Sequence, residues 1–190
     1  MGRGLMILAL LAIVAASFWY YNQEHKISPQ LPETGTINAQ TLPWTEYIAP
    51  LGQFKVLLPT HPHHSREARN EKNYEIFLAP KDEGTLYSIN LITFPEKEGK
   101  DLEKSLNDML KSNPKNLIKE MRKGKFNNDN AYDFTVSSQG TQISGKAFLV
   151  GNTLYVLSAT TQDGASNPQE FDFFIRSFQL QNPPAAVPTQ

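Results

Sequence analysis

The feature that most constrains this chain is an apolar run close to its first residue. From Gly4 to Tyr21 the only polar side chains are Ser17 and the hydroxyls of two tyrosines. A membrane-spanning helix needs about 20 predominantly apolar residues, so this run is just long enough to be one. Arg3 precedes it, and a positive flank favours a cytoplasmic N-terminus. We expect the anchoring residues to be Leu5, Leu8, Leu11, Val14, Trp19 and Tyr20.

The run has two interpretations. A cleaved signal peptide has a positive start, an apolar core of about 7–15 residues and a small-residue cleavage site. Leu5–Val14 fits the apolar core, and either Val14-Ala15-Ala16 or Ala15-Ala16-Ser17 fits the cleavage site. In an uncleaved anchor, Trp19-Tyr20-Tyr21 would form the aromatic belt at the membrane interface. We favour the anchor, which predicts a single-pass inner-membrane protein with a periplasmic or extracellular C-terminal domain. Cleavage would give a secreted or periplasmic protein instead.

Composition shifts divide the rest of the chain. Residues 22–43 are polar and contain Pro29, Pro32 and Pro43, which is typical of an extended linker. Residues 44–181 have the length of one ordinary domain, and they are followed by a Pro-containing tail at 182–190 that we expect to be disordered. The predicted organisation is therefore a signal-anchor or signal peptide at 1–21, a linker, one globular domain and a tail.

Charge and cysteine content exclude several classes of function. The chain has 18 basic and 19 acidic residues, so it lacks the electrostatic footprint of a nucleic-acid-binding protein. It has no cysteine, which excludes disulfides, lipoprotein attachment and thiolate metal sites. We therefore expect no nucleic-acid partner, and we also expect no cofactor.

Alternation of apolar and polar residues predicts a mostly antiparallel sheet in the domain. Gln139-Gly140 and Gly151-Asn152 supply turn chemistry between strands, and Asn127-Asn128 does the same further upstream. The predicted strands are 54–58, 74–78, 86–94, 117–126, 131–136, 143–150 and 153–160.

Two helices are predicted from apolar spacing and capping residues. The first covers Asp101–Lys111, with Asp101 as its N-cap. The second begins after Asn167, with Pro168 at the first helical position and Glu170 where a capping-box carboxylate belongs. Its apolar stripe consists of Phe171, Phe174, Ile175 and Phe178.

One histidine cluster is the strongest candidate for chemistry. His61, His63 and His64 could present imidazoles to zinc, copper or nickel, but further ligands would be needed and the sequence does not fix their geometry. A solvated loop after a strand is the simpler interpretation. The basic run from Lys115 to Lys125 is interpreted as a solvated strand face. We find no motif for a catalytic nucleophile or for phosphate binding.

The order of these elements resembles the PsbP/Mog1-like α/β/α sandwich. The similar features are Gly52–Pro59, the helix at Asp101–Lys111, the strands joined by Gly151-Asn152, and the closing segment from Phe171 to Leu180. The resemblance implies an α+β fold, an antiparallel sheet flanked by helices, here preceded by one N-terminal hydrophobic helix. Members of that class are accessory and binding modules, such as extrinsic photosystem subunits, a GTPase-binding protein and exported bacterial domains.

Together these observations predict a membrane-tethered extracytoplasmic accessory or interaction domain that is not an enzyme. Its expected partners are the membrane, through the N-terminal helix, and a protein in the cell envelope. The alternative is an exported metal-binding protein or metalloenzyme that uses His61, His63 and His64.

Overall fold

The computed structural model describes residues 44–82, 84–95, 101–162 and 167–181. The predicted N-terminal segment at 1–21 with its anchoring residues, the linker at 22–43 and the tail at 182–190 lie outside the described residues. Across these described ranges, no helix is both long enough and apolar enough to cross a membrane.

The described ranges contain ten strands and two helices. In chain order they are β1 (Thr45–Ile48), β2 (Phe54–Leu58), β3 (His63–Arg69), β4 (Lys72–Asp82), β5 (Thr85–Thr93), α1 (Leu102–Lys111), β6 (Asn116–Phe126), β7 (Asp129–Ser138), β8 (Thr141–Val150), β9 (Thr153–Gln162), α2 (Pro168–Ser177) and β10 (Gln179–Leu180).

The strands form two antiparallel sheets. Seven strands lie in the order β3-β4-β5-β9-β8-β7-β6, and β1, β2 and β10 form a small sheet with β2 in its centre. Tight turns of left-handed backbone join neighbouring strands, with positive φ at Gln139, Gly140 and Gly151. Such turns match the right-handed twist of the strands that they connect, so the predicted turn residues fix the register of the large sheet.

The large sheet is covered on both faces. On one face, Phe54 of β2, Phe174 of α2 and Phe178 just after that helix contribute to an aromatic core. On the other face, α1 buries Leu106, Met109 and Leu110 against β7 and its neighbours. Burying one such side chain contributes about 1.5–3 kcal/mol, so each covering layer is fixed by a few residues. The α+β fold with two helices on a mostly antiparallel sheet agrees with the prediction.

Both helix starts follow the predicted capping chemistry. Asp101 Oδ1 accepts a hydrogen bond from the Lys104 backbone N–H at 3.0 Å. Asn167 Oδ1 accepts from the backbone N–H groups of Gln169 and Glu170 at 3.2 and 3.3 Å, and Pro168 occupies the first turn. These bonds satisfy amide groups that have no partner inside the helix.

Three parts of the sheet differ from the sequence prediction. His63 and His64 do not lie in a loop, because they open β3, an edge strand that turns into β4 at Asn70-Glu71. β4 extends to Lys72–Asp82, well beyond the predicted 74–78. β2 belongs to a separate sheet, in which the short strands β1 and β10 were not predicted. The edge strand β3, the ends of β4 and the short strands β1 and β10 have little or no apolar alternation, which is the signal that the prediction used. β2 does alternate and was predicted, but alternation does not say which sheet a strand joins.

Candidate functional site

The structure separates the three histidines that were predicted as metal ligands. His63 and His64 are consecutive in β3, so their side chains point to opposite faces of the sheet. The His64 ring stacks on Phe77 at 4.3 Å between centroids, whereas the His61 ring meets the edge of Tyr47 at 5.4 Å. The part of the chain that the structure describes contains no group of three or more His, Cys, Asp or Glu side chains that could hold a metal ion. The geometry therefore gives the predicted metal site no support.

His64 instead pairs with a buried carboxylate. Its Nε2 lies 3.3 Å from Glu75 Oε2, and Arg66 Nε lies 3.8 Å from the other carboxylate oxygen. Glu75 is 8% exposed, so it needs these partners to offset the loss of water around a charge. The pairing across β3 and β4 explains His64 as a residue that holds an edge strand in place.

A cleft of about 220 Å³ lies on the face of the large sheet that α2 covers, under the first turn of that helix. Its floor comes from β4, β5, β8 and β9, and its wall comes from the start of α2. The lining residues are Lys81, Asp82, Gly84, Thr85, Tyr87, Ser144, Ala159, Thr161, Asn167, Glu170 and Phe171.

Three of the lining side chains form one hydrogen-bonded group. Lys81 Nζ donates to both carboxylate oxygens of Glu170, at 2.8 and 2.6 Å. The Tyr87 hydroxyl donates to Glu170 Oε2 at 3.3 Å. Burial, and then the charge and hydrogen bond of Glu170, hold the pKa of Tyr87 well above its usual range, so this hydroxyl remains a donor.

Glu170 reaches this group because of how α2 begins. Asn167 caps the helix and Pro168 sets its first turn, which places Glu170 over the sheet near the end of β4. The sequence predicted that this carboxylate would serve in a capping box, but its contacts are with Lys81 on β4 and Tyr87 on β5. The ion pair is half-buried and connects residues that are 89 positions apart, so it fastens α2 to the β4–β5 hairpin.

Small side chains make the floor of the cleft. Thr85 lies opposite Thr161 in the ladder between β5 and β9, and Ala159 lies opposite Ser144 in the ladder between β9 and β8. Further along the same face, larger side chains belong to the core beneath α2, namely those of Tyr87, Leu157 and Tyr155. The change from large to small side chains leaves the open volume at the end of the helix.

The chemistry of the cleft suits binding. Glu170 has its carboxylate oxygens occupied by Lys81 and Tyr87, and Lys81 is neutralised by the same carboxylate. These groups position one another, while the hydroxyls of Thr85 and Thr161 line the floor. Sequence reasoning identified Glu170 only as a helix-start residue and did not identify Lys81 or Tyr87, because their meeting depends on the sheet order.

Comparison with known proteins shows the fold. No protein-family model matches the chain, and no curated protein matches it significantly. The structure is similar to cyanobacterial PsbP (CyanoP) from Synechocystis sp. PCC 6803, with a TM-score of 0.55 and 10% sequence identity over 80% of this chain and 99% of that chain. A crystal structure from Bacteroides thetaiotaomicron VPI-5482 matches with a TM-score of 0.43 and 16% identity over 72% of this chain and 48% of that chain. The likeness to CyanoP confirms the predicted PsbP-like fold, and at this identity it shows the fold alone.

Proposed function

We propose that this PsbP-like domain is a non-catalytic accessory module, tethered at the outer face of a bacterial inner membrane, which presents a binding surface within an envelope complex. The cleft beside Lys81 and Glu170 is the surface to which we assign binding. The proposal combines the fold, the chemistry of the cleft and the apolar segment near the start of the chain.

The binding role rests on the hydrogen bonds that Lys81 and Tyr87 donate to the carboxylate oxygens of Glu170. A general acid or base needs a proton that can move, and a nucleophile needs an adjacent base. Here the carboxylate is held by an ammonium group and a phenol with a raised pKa. Such a group provides a rigid wall, which is what a binding module requires.

The tether rests on the sequence of residues 1–43. An apolar run of about the length of a membrane span comes first, and a Pro-containing polar stretch separates it from the domain. This arrangement would hold the cleft away from the bilayer, within reach of a protein partner in the envelope. If the run is cleaved, the same domain would act in the periplasm or outside the cell.

The location is tested with two reporters fused after Gln190 in the full chain. One reporter is an enzyme that is active only outside the cytoplasm, and the other is active only inside it. We expect activity from the first reporter alone, and activity from the second alone would overturn the proposal. The intact mass of the protein recovered from membranes distinguishes an anchor from a cleaved signal peptide.

The partner role is tested by chemical cross-linking in native membranes followed by capture of the full chain. Lys81→Glu places a second carboxylate against Glu170 and is expected to reduce the yield of the cross-linked partner. Arg176→Glu is the matched control, since Arg176 is exposed on α2, the helix that carries Glu170. Among the contacts that the structure describes, Arg176 pairs only with Asp172, at 2.7 Å. Equal yields from both variants would remove the cleft from the binding surface.

A further inference from the structure

We propose that the cleft under α2 binds a small neutral polyol, such as a monosaccharide. This inference rests on the proposed binding function of the same cleft and adds the chemical class of its ligand. Four properties of the cleft carry it, namely its size, its charge, the two threonine hydroxyl groups on its floor and its apolar wall.

The size of the cleft suits a small ligand. Its volume of about 220 Å³ is below the roughly 300 Å³ at which pockets for drug-sized ligands begin. A single sugar ring or a molecule of similar size fits this volume.

The charges of the lining disfavour an anion. Among the residues that the structure describes, the lining carries one cation, Lys81, and two carboxylates, Asp82 and Glu170. Glu170 already occupies Lys81 through two hydrogen bonds, so this part of the lining leaves no cation to neutralise a phosphate or a carboxylate. Asp82 Oδ1 accepts from the Gly84 backbone N–H at 2.9 Å. The site therefore offers hydrogen bonds to a neutral ligand better than it offers charge to an anion.

The floor supplies groups that can both donate and accept. Thr85 and Thr161 are 8% and 6% exposed, and within the described ranges neither hydroxyl has a hydrogen-bond partner. They lie opposite each other in the β5–β9 ladder, so the two side chains are neighbours on the floor of the cleft. A ligand that carries several hydroxyl groups matches such a pair, because each of its groups is also both donor and acceptor.

An apolar wall completes the match. Phe171 lines the cleft from α2, and the methyl group of Ala159 lies on its floor. Specific pockets combine apolar and aromatic walls with a small number of placed polar groups. A sugar ring presents C–H groups on its faces and hydroxyl groups at its rim, and so provides both kinds of contact.

The test measures ligand binding by saturation-transfer NMR on the full chain in a detergent without sugar headgroups. Glucose and N-acetylglucosamine are the probes, and glycine, ethanolamine and methyl phosphate are the comparators, since each of them carries C–H protons that can report saturation. We expect saturation transfer to at least one sugar and to none of the comparators. Transfer only to glycine, ethanolamine or methyl phosphate would overturn the ligand class, and no transfer to either sugar at millimolar concentration would overturn the proposal.

Variants locate the bound sugar. Thr161→Val removes one floor hydroxyl and keeps the shape of the side chain, and it is expected to weaken binding about fivefold, the usual effect of losing one hydrogen bond. Thr153→Val is the control at the opposite end of β9, where the Thr153 and Thr93 hydroxyls bond each other at 3.0 Å. Circular dichroism checks that both variants fold, and Thr85→Val replaces Thr161→Val if the latter does not. Equal affinity in the floor variant and the control would overturn the assignment to this cleft.

These outcomes are distinguishable from failure of the proposed function. Reporter fusions and cross-linking test location and partner without any added sugar. Sugar binding with cytoplasmic reporter activity would leave the ligand class intact and reject the tether, whereas correct topology without sugar binding would do the reverse.

Discussion

The ring of Phe134 covers Gly145 on the neighbouring strand. The two residues are register partners between β7 and β8, and a Cβ atom at Gly145 would lie 2.2 Å from Phe134 Cζ. Phe134 is 4% exposed and belongs to the core under α1, so its ring cannot swing out into solvent. A hydrogen atom at position 145 is therefore a packing requirement of the α1 side of the sheet.

Gly145→Ala is expected to destabilise the protein by about 1–3 kcal/mol, because the added methyl group forces the Phe134 ring off its position. The free energy of unfolding in urea measures the effect. Gly124→Ala serves as the control, since its Cβ would meet the end of the flexible Asp133 side chain at 2.9 Å. Equal losses of stability in the two variants would show that the effect comes from the backbone freedom of glycine and not from contact with the Phe134 ring.

The four-strand meander from β6 to β9 could be predicted from the sequence. Tyr132, Phe134 and Val136 alternate with polar residues, and the residues between strands favour left-handed turns. β3 could not be predicted, because it is an edge strand whose residues from His63 to Ala68 are all exposed. Exposed charges on an edge strand protect it from pairing with another chain, and they also remove the apolar alternation that identifies a strand.

The candidate site was less accessible to sequence reasoning than the fold. Glu170 was recognisable as a residue of the first helical turn, but its partner Lys81 lies 89 positions earlier. Their contact depends on the strand order, in which only β5 lies between β4 and β9, and on the packing of α2 across the face of the sheet that these strands form. The histidine cluster, in contrast, is evident in the sequence. In the structure His63 and His64 are consecutive in a strand, so their side chains point to opposite faces of the sheet.

The ion pair between Lys81 and Glu170 is expected to stabilise the fold measurably. Glu170→Gln replaces the carboxylate that accepts from Lys81 and Tyr87, and the side chains of the pair are 30% and 25% exposed. We expect a loss of about 1–2 kcal/mol, which is the range of hydrogen bonds to charged groups reduced for partial exposure to solvent. Thermal unfolding at neutral pH measures it.

Asp172→Asn is the matched control for that variant. Asp172 pairs with Arg176 one turn along α2, and their side chains are 54% and 77% exposed. Exposed pairs of this kind contribute about 0.3–0.5 kcal/mol. If Asp172→Asn were as damaging as Glu170→Gln, the contact between α2 and the β4–β5 hairpin would not be the source of the effect.

A second carboxylate provides a pH-dependent contribution on the α1 side. The Tyr132 hydroxyl donates to Glu103, and Lys123 Nζ lies 3.5 Å from the same side chain. These contacts, the tyrosine first, lower the pKa of Glu103 below its ordinary value of 4.5. A lowered folded-state pKa gives stability that is present above pH 4.5 and is lost as the pH falls through the folded value.

Tyr132→Phe is therefore expected to raise the pKa of Glu103 towards 4.5. The free energy of unfolding of this variant should then depend less on pH in the acidic range. NMR titration of the Glu103 side-chain carboxyl carbon follows the first effect, and urea unfolding at several acidic pH values follows the second. Tyr74→Phe, on β4, is the control and should leave the titration of Glu103 unchanged. An unmoved Glu103 titration in Tyr132→Phe would assign the lowered pKa to Lys123.

The two neighbouring histidines of β3 are expected to respond differently to replacement by alanine. His64→Ala removes both the stack on Phe77 and the partner of Glu75, which leaves a carboxylate that is 8% exposed with Arg66 alone at 3.8 Å. We expect a loss of about 1–2 kcal/mol from unpairing a buried charged group. His63→Ala changes an exposed side chain on the opposite face, and its free energy of unfolding should stay within about 0.5 kcal/mol of the wild-type value.

Urea unfolding of the two variants measures the difference, and isothermal titration with zinc on the same samples tests the metal alternative. Equal stability losses would contradict the pairing with Glu75, whereas a loss of zinc affinity in both variants would restore the metal site that the structure does not support.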